Sequence, residues 1–208
     1  MRNSLIAVGL FLTGLLIGSI GIVPSEWLGG QLTQFILYLL IIQVGLGLGA
    51  GDGLVMLRRE LRPRMLLVPV CTILGTLLFS AFASLLLPMW RTTECVALGC
   101  GFGYYSLSSV LITELKEASL GLEGATALGT LALLTNIVRE LIAIAGAPVF
   151  VKFFGKQAPV VAAGVTSMDS VLPSINRYSG AEVVPIALVH GLVLEVSTPL
   201  LVTFFCTV

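Results

Sequence analysis

The sequence predicts an all-α integral membrane protein of about seven hydrophobic segments, two of them broken. Three observations carry that reading. The 208 residues are 57% hydrophobic and only 11% charged, against roughly 25% charged in ordinary soluble domains; a chain this short cannot bury so much apolar surface in one core. Several runs reach the ~20 uncharged residues that a spanning helix needs. Two of the apolar segments are interrupted by glycines and hydroxyls, which weaken a helix and expose polar backbone where lipid penalises it.

In chain order, residues 3–25 are uncharged and end at Pro24-Ser25-Glu26-Trp27. Gly14, Gly18 and Gly21 recur at spacings suited to helix packing, and no small-residue cleavage site follows, so this run reads as a retained first span. Residues 27–51 form a second uncharged run. The next loop carries Arg58, Arg59, Arg62 and Arg64, and so many cations in one short loop place it in the cytoplasm, with Arg2 on the same side. A third run, 65–90, closes the three-span part of the chain, 1–92.

The motif-bearing part, 95–208, is less regular. Segment 95–115 contains Gly99-Cys100-Gly101-Phe102-Gly103-Tyr104-Tyr105-Ser106-Leu107-Ser108-Ser109 and reaches Glu114. Segment 124–151 carries Arg139-Glu140 far from either end, 158–176 contains Asp169 and Pro173, and 183–206 contains His190 and Glu195. Counting seven crossings puts Lys116 inside, Arg91, Lys152 and Lys156 outside, Glu114 near the cytoplasmic end, and the C-terminus outside. A re-entrant 158–176, or a fourth segment that fails to cross, changes that order.

Ser106-Leu107-Ser108-Ser109-Val110-Leu111 aligns with Ser167-Met168-Asp169-Ser170-Val171-Leu172, and Gly121-Leu122-Glu123 with Gly180-Ala181-Glu182. Stretches 95–150 and 158–206 therefore read as two copies of a broken helix followed by a long one, within one membrane domain, 1–208. Paired broken helices are the best sequence-level pointer to a transporter's binding site, in the manner of inverted-repeat folds.

Charges inside a membrane cost at least ~2.5–3.5 kcal/mol each and need a partner or a wet cavity. Arg139 and Glu140 are adjacent on a helix and point about 100° apart, so each should find a partner on another segment. Asp169 is the natural partner for Arg139, in a pair that is either structural or functional. Glu114 has no basic neighbour within its own segment, so it reads as a proton-exchanging carboxyl or as a helix-end glutamate at the headgroups. His190 reads as hydrogen-bonded structure or as a proton relay. Asn136, three residues before Arg139, can share its face, and Thr166, Ser167 and Ser170 supply hydroxyls beside Asp169. Tyr104 and Tyr105 are packing aromatics or gates.

Zero net charge gives no attraction to nucleic acid. Cys71, Cys95, Cys100 and Cys206 have no metal-ligand spacing, the single histidine rules out a multi-histidine metal site, and enzyme motifs are absent. No catalytic residue and no cofactor is expected.

The chain resembles the LysO family of bacterial lysine exporters. The carrying motifs are Gly101-Phe102-Gly103-Tyr104-Tyr105-Ser106-Leu107-Ser108, Leu111-Ile112-Thr113-Glu114, Arg139-Glu140-Leu141-Ile142-Ala143-Ile144, Gly164-Val165-Thr166-Ser167-Met168-Asp169 and Val189-His190-Gly191. They occur in order across 99–191, and the first ninety residues match only in hydrophobic pattern. The resemblance implies export of L-lysine and its analogue thialysine across a bacterial or archaeal plasma membrane, with Glu114 as the implicated intramembrane glutamate. Full-length members carry additional N-terminal spans, so it also implies a split exporter completed by a separate small membrane subunit, within a higher oligomer or alone. Charge accounting points to lysine/proton antiport with Glu114, Asp169, Arg139, Glu140, Asn136, Ser106, Ser109, Ser167 and His190 as the substrate- and proton-binding set. The alternatives are export of another amino acid or organic ion, and a non-transporting membrane assembly subunit.

Overall fold

The computed structural model describes residues 63–208, together with helical residues 13–14, 16–20, 35, 39 and 42. The rest of the first two expected spans, and the arginine loop as far as Arg62, lie outside the described residues. Among the described residues every regular element is helical.

Helix α1, Pro63–Ala83, runs into a 3₁₀ turn at Ser84–Leu86. The chain reverses at Pro88, and Ser84 Oγ meets Thr92 Oγ1 at 3.2 Å, which fixes the start of α2, Thr92–Gly99. Glu94 in the first turn of α2 accepts the Arg91 N–H at 2.8 Å, so a free helix-start donor is satisfied. The chain then unwinds. Phe102 and Gly103 take positive φ values of 45° and 94°, and the glycine at 103 avoids the strain that a residue with a Cβ would carry there.

Helix α3, Tyr105–Phe154, is two helices rather than one. At Gly121 (φ 71°, ψ 168°) the backbone leaves helical geometry, and the limbs 105–120 and 122–154 fold back on each other. A Cβ on Gly129 would lie 2.8 Å from the Ser109 carbonyl oxygen, and Asn136 Nδ2 donates to Ser108 Oγ at 3.3 Å. In one straight helix residues 108 and 136 would be about 40 Å apart.

A second interrupted helix follows: α4, Ala158–Ala163, a 3₁₀ turn Gly164–Met168, and α5, Leu172–Ser179. Gly180 (φ 96°) turns the chain through the short 3₁₀ turn Ala181–Val183 into the last helix, α6, Val184–Thr207.

Both expected broken segments are therefore real, but they fold as hairpins and do not cross. Lys116 Nζ lies 3.6 Å from Glu94 Oε1, so the two ends of the first hairpin, 92–120, meet. Lys156 Nζ lies 2.6 Å from Glu182 Oε1, so the ends of the second, 158–179, meet as well. This corrects the expectation that 95–115 crosses with Arg91 and Lys116 on opposite sides. The physical reason is the glycine-rich tip, which cannot continue a helix and instead reverses it. Limb 122–154 joins the bases of the hairpins at its two ends and is about 50 Å long. The hairpins thus enter from opposite ends of this limb, and their tips meet near its middle, where the Val165 N–H donates to the Phe102 carbonyl at 2.8 Å.

Two clusters hold the arrangement. Hairpin one packs Phe102, Leu107 and Ile112 against Leu128, Leu194 and Val202. Hairpin two packs Val160, Ala163, Val171 and Ile175 against Ala143 and Ala187. Helix α6 contributes to both clusters. Large apolar side chains such as Leu74, Phe79, Phe82, Ile142, Leu200 and Phe204 point outward, as a lipid-facing surface requires. Among the described residues two helical stretches, Met65–Leu86 and Ala181–Thr207, are long and apolar enough to cross a membrane by length and composition.

Candidate functional site

A pocket of about 140 Å³ opens where the hairpin tips meet. Hairpin one supplies Tyr104, Tyr105 and Ser106, hairpin two supplies Thr166, Asp169 and Ser170, limb 122–154 supplies Glu140, and α6 supplies Glu195. The elements place these groups for local reasons. Tyr104–Ser106 lie at the start of limb 105–120, where the first-turn amides have no intrahelical acceptor. Asp169 follows the 3₁₀ turn Gly164–Met168 and bonds its own neighbour, with Oδ1 accepting from the Ser170 amide and from Ser170 Oγ. Glu140 is almost wholly buried, at 1% exposure, whereas Asp169 sits exposed at the opening. Glu195 lies one turn beyond Gly191, whose face touches the second tip closely: a Cβ there would be 2.8 Å from both the Met168 side chain and the Val165 carbonyl. Residues four apart share a helix face, so Glu195 points towards the same tip.

Three carboxyl groups from three elements line this pocket, and among the described residues no lysine, arginine or histidine does. Such a lining attracts cations and ammonium groups, with tyrosine and serine hydroxyls available as further acceptors.

Of the predicted site residues, Ser106, Glu140 and Asp169 come together here, and the others do not. Arg139 does not pair with Asp169. Its Nε donates to the Ala162 carbonyl at 2.9 Å and its Nη2 to the Val161 carbonyl at 3.1 Å. The reason is that α4 ends at Ala163, leaving its last carbonyls without helical partners, and a guanidinium satisfies two of them while complementing the helix's negative end. Asn136 is buried and fully engaged: Oδ1 accepts the Gly103 amide at 2.7 Å, and Nδ2 donates to Ala132 O and Ser108 Oγ. Ser167 Oγ donates to the Ala187 carbonyl at 2.9 Å. His190 is buried between Thr72, 3.0 Å from Nε2, and Ser167, 3.3 Å from Nδ1, so it ties α1 to hairpin two. Ser109 packs by its carbonyl against Gly129.

Glu114 lies outside the pocket, on limb 105–120 two residues from Lys116. Its Oε2 is buried with no hydrogen-bond partner among the described residues. Because Lys116 pairs with Glu94, this part of the limb belongs to the base of hairpin one, on the same side as Arg91.

Sequence reasoning did not connect Glu94 with Lys116. Both side chains are nearly buried, at 3% and 6% exposure, yet one reads as a helix-start residue and the other as a loop cation. Glu195 was legible as an intramembrane charge, but no spacing in the chain ties it to Asp169.

The family model for the lysine exporter LysO matches residues 8–206. The chain belongs to the LysO family. Its match extends well beyond 99–191 and takes in most of the first ninety residues. The lysine exporter LysO of Escherichia coli K12 is 31% identical over 203 residues, covering 98% of this chain and 64% of that protein. A putative lysine exporter of Haemophilus influenzae is 30% identical over 199 residues, covering 93% of this chain and 95% of that protein. The chain therefore spans about two thirds of the length of the E. coli relative and nearly all of the Haemophilus one. No solved structure matches. LysO is a family of exporters, and with its apolar, outward-facing helices the chain is a membrane protein.

Proposed function

We propose that the chain exports L-lysine, and with it thialysine, across a bacterial or archaeal plasma membrane in exchange for protons. The observation that carries the reading is the pocket between the two hairpin tips, which gathers Glu140, Asp169 and Glu195 from three separate elements. Lysine at neutral pH presents two ammonium groups and one carboxylate. The pocket's carboxylates suit the ammonium groups. The first-turn amides of limb 105–120, beside Tyr104, Tyr105 and Ser106, suit the carboxylate, because a helix start carries partial positive charge. Exporting a cation against an inside-negative potential costs ~2.3 kcal/mol per charge per 100 mV, and inward proton movement through the same carboxylates would offset it. Glu114 belongs to the proposal as a separate proton-exchanging group, supported by its buried Oε2, which has no hydrogen-bond partner among the described residues.

The topology that goes with this reading is multi-pass, with five crossings and two re-entrant hairpins related as inverted repeats. With the arginine loop inside, hairpin two then opens inside and hairpin one outside. Arg2, Arg58, Arg59, Arg62, Arg64, Lys152, Lys156 and Arg177 all fall inside, against Arg91 and Lys116 outside. That bias is stronger than the one seven crossings give. A second, small membrane subunit is part of the proposal, and copurification from native membranes tests it.

The direct test is lysine exchange in proteoliposomes. Labelled lysine should exchange, unlabelled lysine and thialysine should compete, and Asp169→Asn should reduce exchange at least tenfold while leaving the protein folded. Exchange of labelled lysine that a neutral amino acid competes as well as lysine does would favour a different substrate. Absence of any flux, with the second subunit present, would favour an assembly role.

A further inference from the structure

We propose that Asn136 and Arg139 are positioning residues that brace one hairpin tip each and so set the shape of the pocket, without touching the substrate. The inference deepens the export reading and rests on it for its transport arm only.

The two residues lie on limb 122–154 with Glu140, which lines the pocket. Positions 136, 139, 140 and 143 follow the i, i+3, i+4, i+7 spacing of one helix face. Asn136 faces the first tip. It takes the Gly103 amide at 2.7 Å, at the residue directly before Tyr104, Tyr105 and Ser106 in the pocket wall. The fit is close: a Cβ on Gly101 would collide with the Asn136 amide and stand 2.9 Å from Ser108 Oγ. The other two bonds, to Ala132 O and Ser108 Oγ, fix which way the amide points, so its oxygen is held towards Gly103.

Arg139 faces the second tip. Its guanidinium holds the carbonyls of Val161 and Ala162, the last turn before the chain unwinds. Gly164 sits against it: a Cβ there would be 3.4 Å from Arg139 Cζ and would strike the Phe102 carbonyl. The Phe102 carbonyl accepts the Val165 amide. A closed circuit results, from limb 122–154 through Arg139 to tip two, across to Phe102 and Gly103 of tip one, and back through Asn136. Glu140, one turn beyond Asn136, reaches the space this circuit encloses. Two Arg139 donors are held by the backbone carbonyls of tip two, which directs the guanidinium there rather than to Asp169.

The braces predict effects that are separate by tip. In a Cys71→Ser background, Ser106→Cys reports on tip one and Ser170→Cys on tip two through their rates of reaction with a water-soluble thiol reagent. Asn136→Ala should change the rate at position 106 at least threefold and leave position 170 within twofold, and Arg139→Met should do the reverse. Asn136→Asp keeps the acceptor for the Gly103 amide and should restore most of the wild-type rate at 106. In proteoliposomes Asn136→Ala should raise the half-saturating lysine concentration roughly tenfold, the worth of about one hydrogen bond, with maximal flux within twofold. Equal changes at both reporters, no change at either, or an aspartate variant no better than alanine would overturn the proposal. If the wild type exchanges no lysine, the export reading fails, and the labelling pattern still decides the braces.

Discussion

Replacing Lys116 by methionine should destabilise the protein far more than loss of a surface charge. Lys116 and Glu94 lie 3.6 Å apart with side chains 6% and 3% exposed. At an effective dielectric constant of 20 the attraction is about 5 kcal/mol, and breaking a buried pair from one side costs about 3–5 kcal/mol, because the remaining charge stays buried. Methionine fills much of the lysine's volume, so the loss is electrostatic rather than a cavity. At about 2–4 °C per kcal/mol for a chain of this size, the apparent Tm in detergent should fall by roughly 10 °C. Neutralising the second partner as well, Glu94→Gln with Lys116→Met, should recover most of that, since the glutamine side chain can still accept the Arg91 amide that Glu94 holds at 2.8 Å. A single variant as stable as wild type would refute the reasoning. So would a double variant that loses the sum of the two singles, and either result would remove the evidence that hairpin one closes on itself.

Two further outcomes follow from the same architecture. Gly164→Ala places a Cβ against the Phe102 carbonyl at a φ of +69° and should cost several kcal/mol, whereas Gly121→Ala, at φ 71° and ψ 168° with no atom of the described residues within 4 Å of the added Cβ, should cost about 1–3 kcal/mol from backbone strain alone; chemical or thermal unfolding of the two variants side by side measures the gap. Lys156→Cys with Glu182→Cys, in a Cys71→Ser background, should join through a short bis-maleimide in intact membranes, because these side chains meet at 2.6 Å, and failure to join, with both cysteines reactive, would return 158–176 to a crossing segment.

The sequence made the breaks visible and hid their consequence. Glycines at 99, 101 and 103, and Gly164 before Asp169, are direct statements that helices stop there. Whether the chain then continues across or turns back is decided by contacts between distant residues, such as Glu94 with Lys116 and Lys156 with Glu182, which have no local signature. The same holds for Arg139. Its charge made Asp169 look like a partner, because carboxylates are the usual company of a buried guanidinium, but the unpaired carbonyls at the end of α4 compete for the same donors and lie nearer. Asp169, Glu140 and Ser106 were legible as candidates from their type and depth, and the structure brings them to one pocket. The gathering of Glu195 with them depends on how closely α6 approaches the second tip at Gly191, a packing fact that hydropathy does not encode. His190 was readable as hydrogen-bonded structure, though its link to Thr72 was not.

The central claim is that the pocket between the tips holds lysine's ammonium groups. Equilibrium binding of labelled lysine to the purified protein, with norleucine as competitor, tests that most directly. Norleucine has the same carbon chain without the side-chain ammonium, so it should compete at least a hundredfold more weakly, and Asp169→Asn and Glu140→Gln should each weaken lysine binding at least tenfold. Norleucine competing as well as lysine, or both variants binding lysine like the wild type, would contradict it.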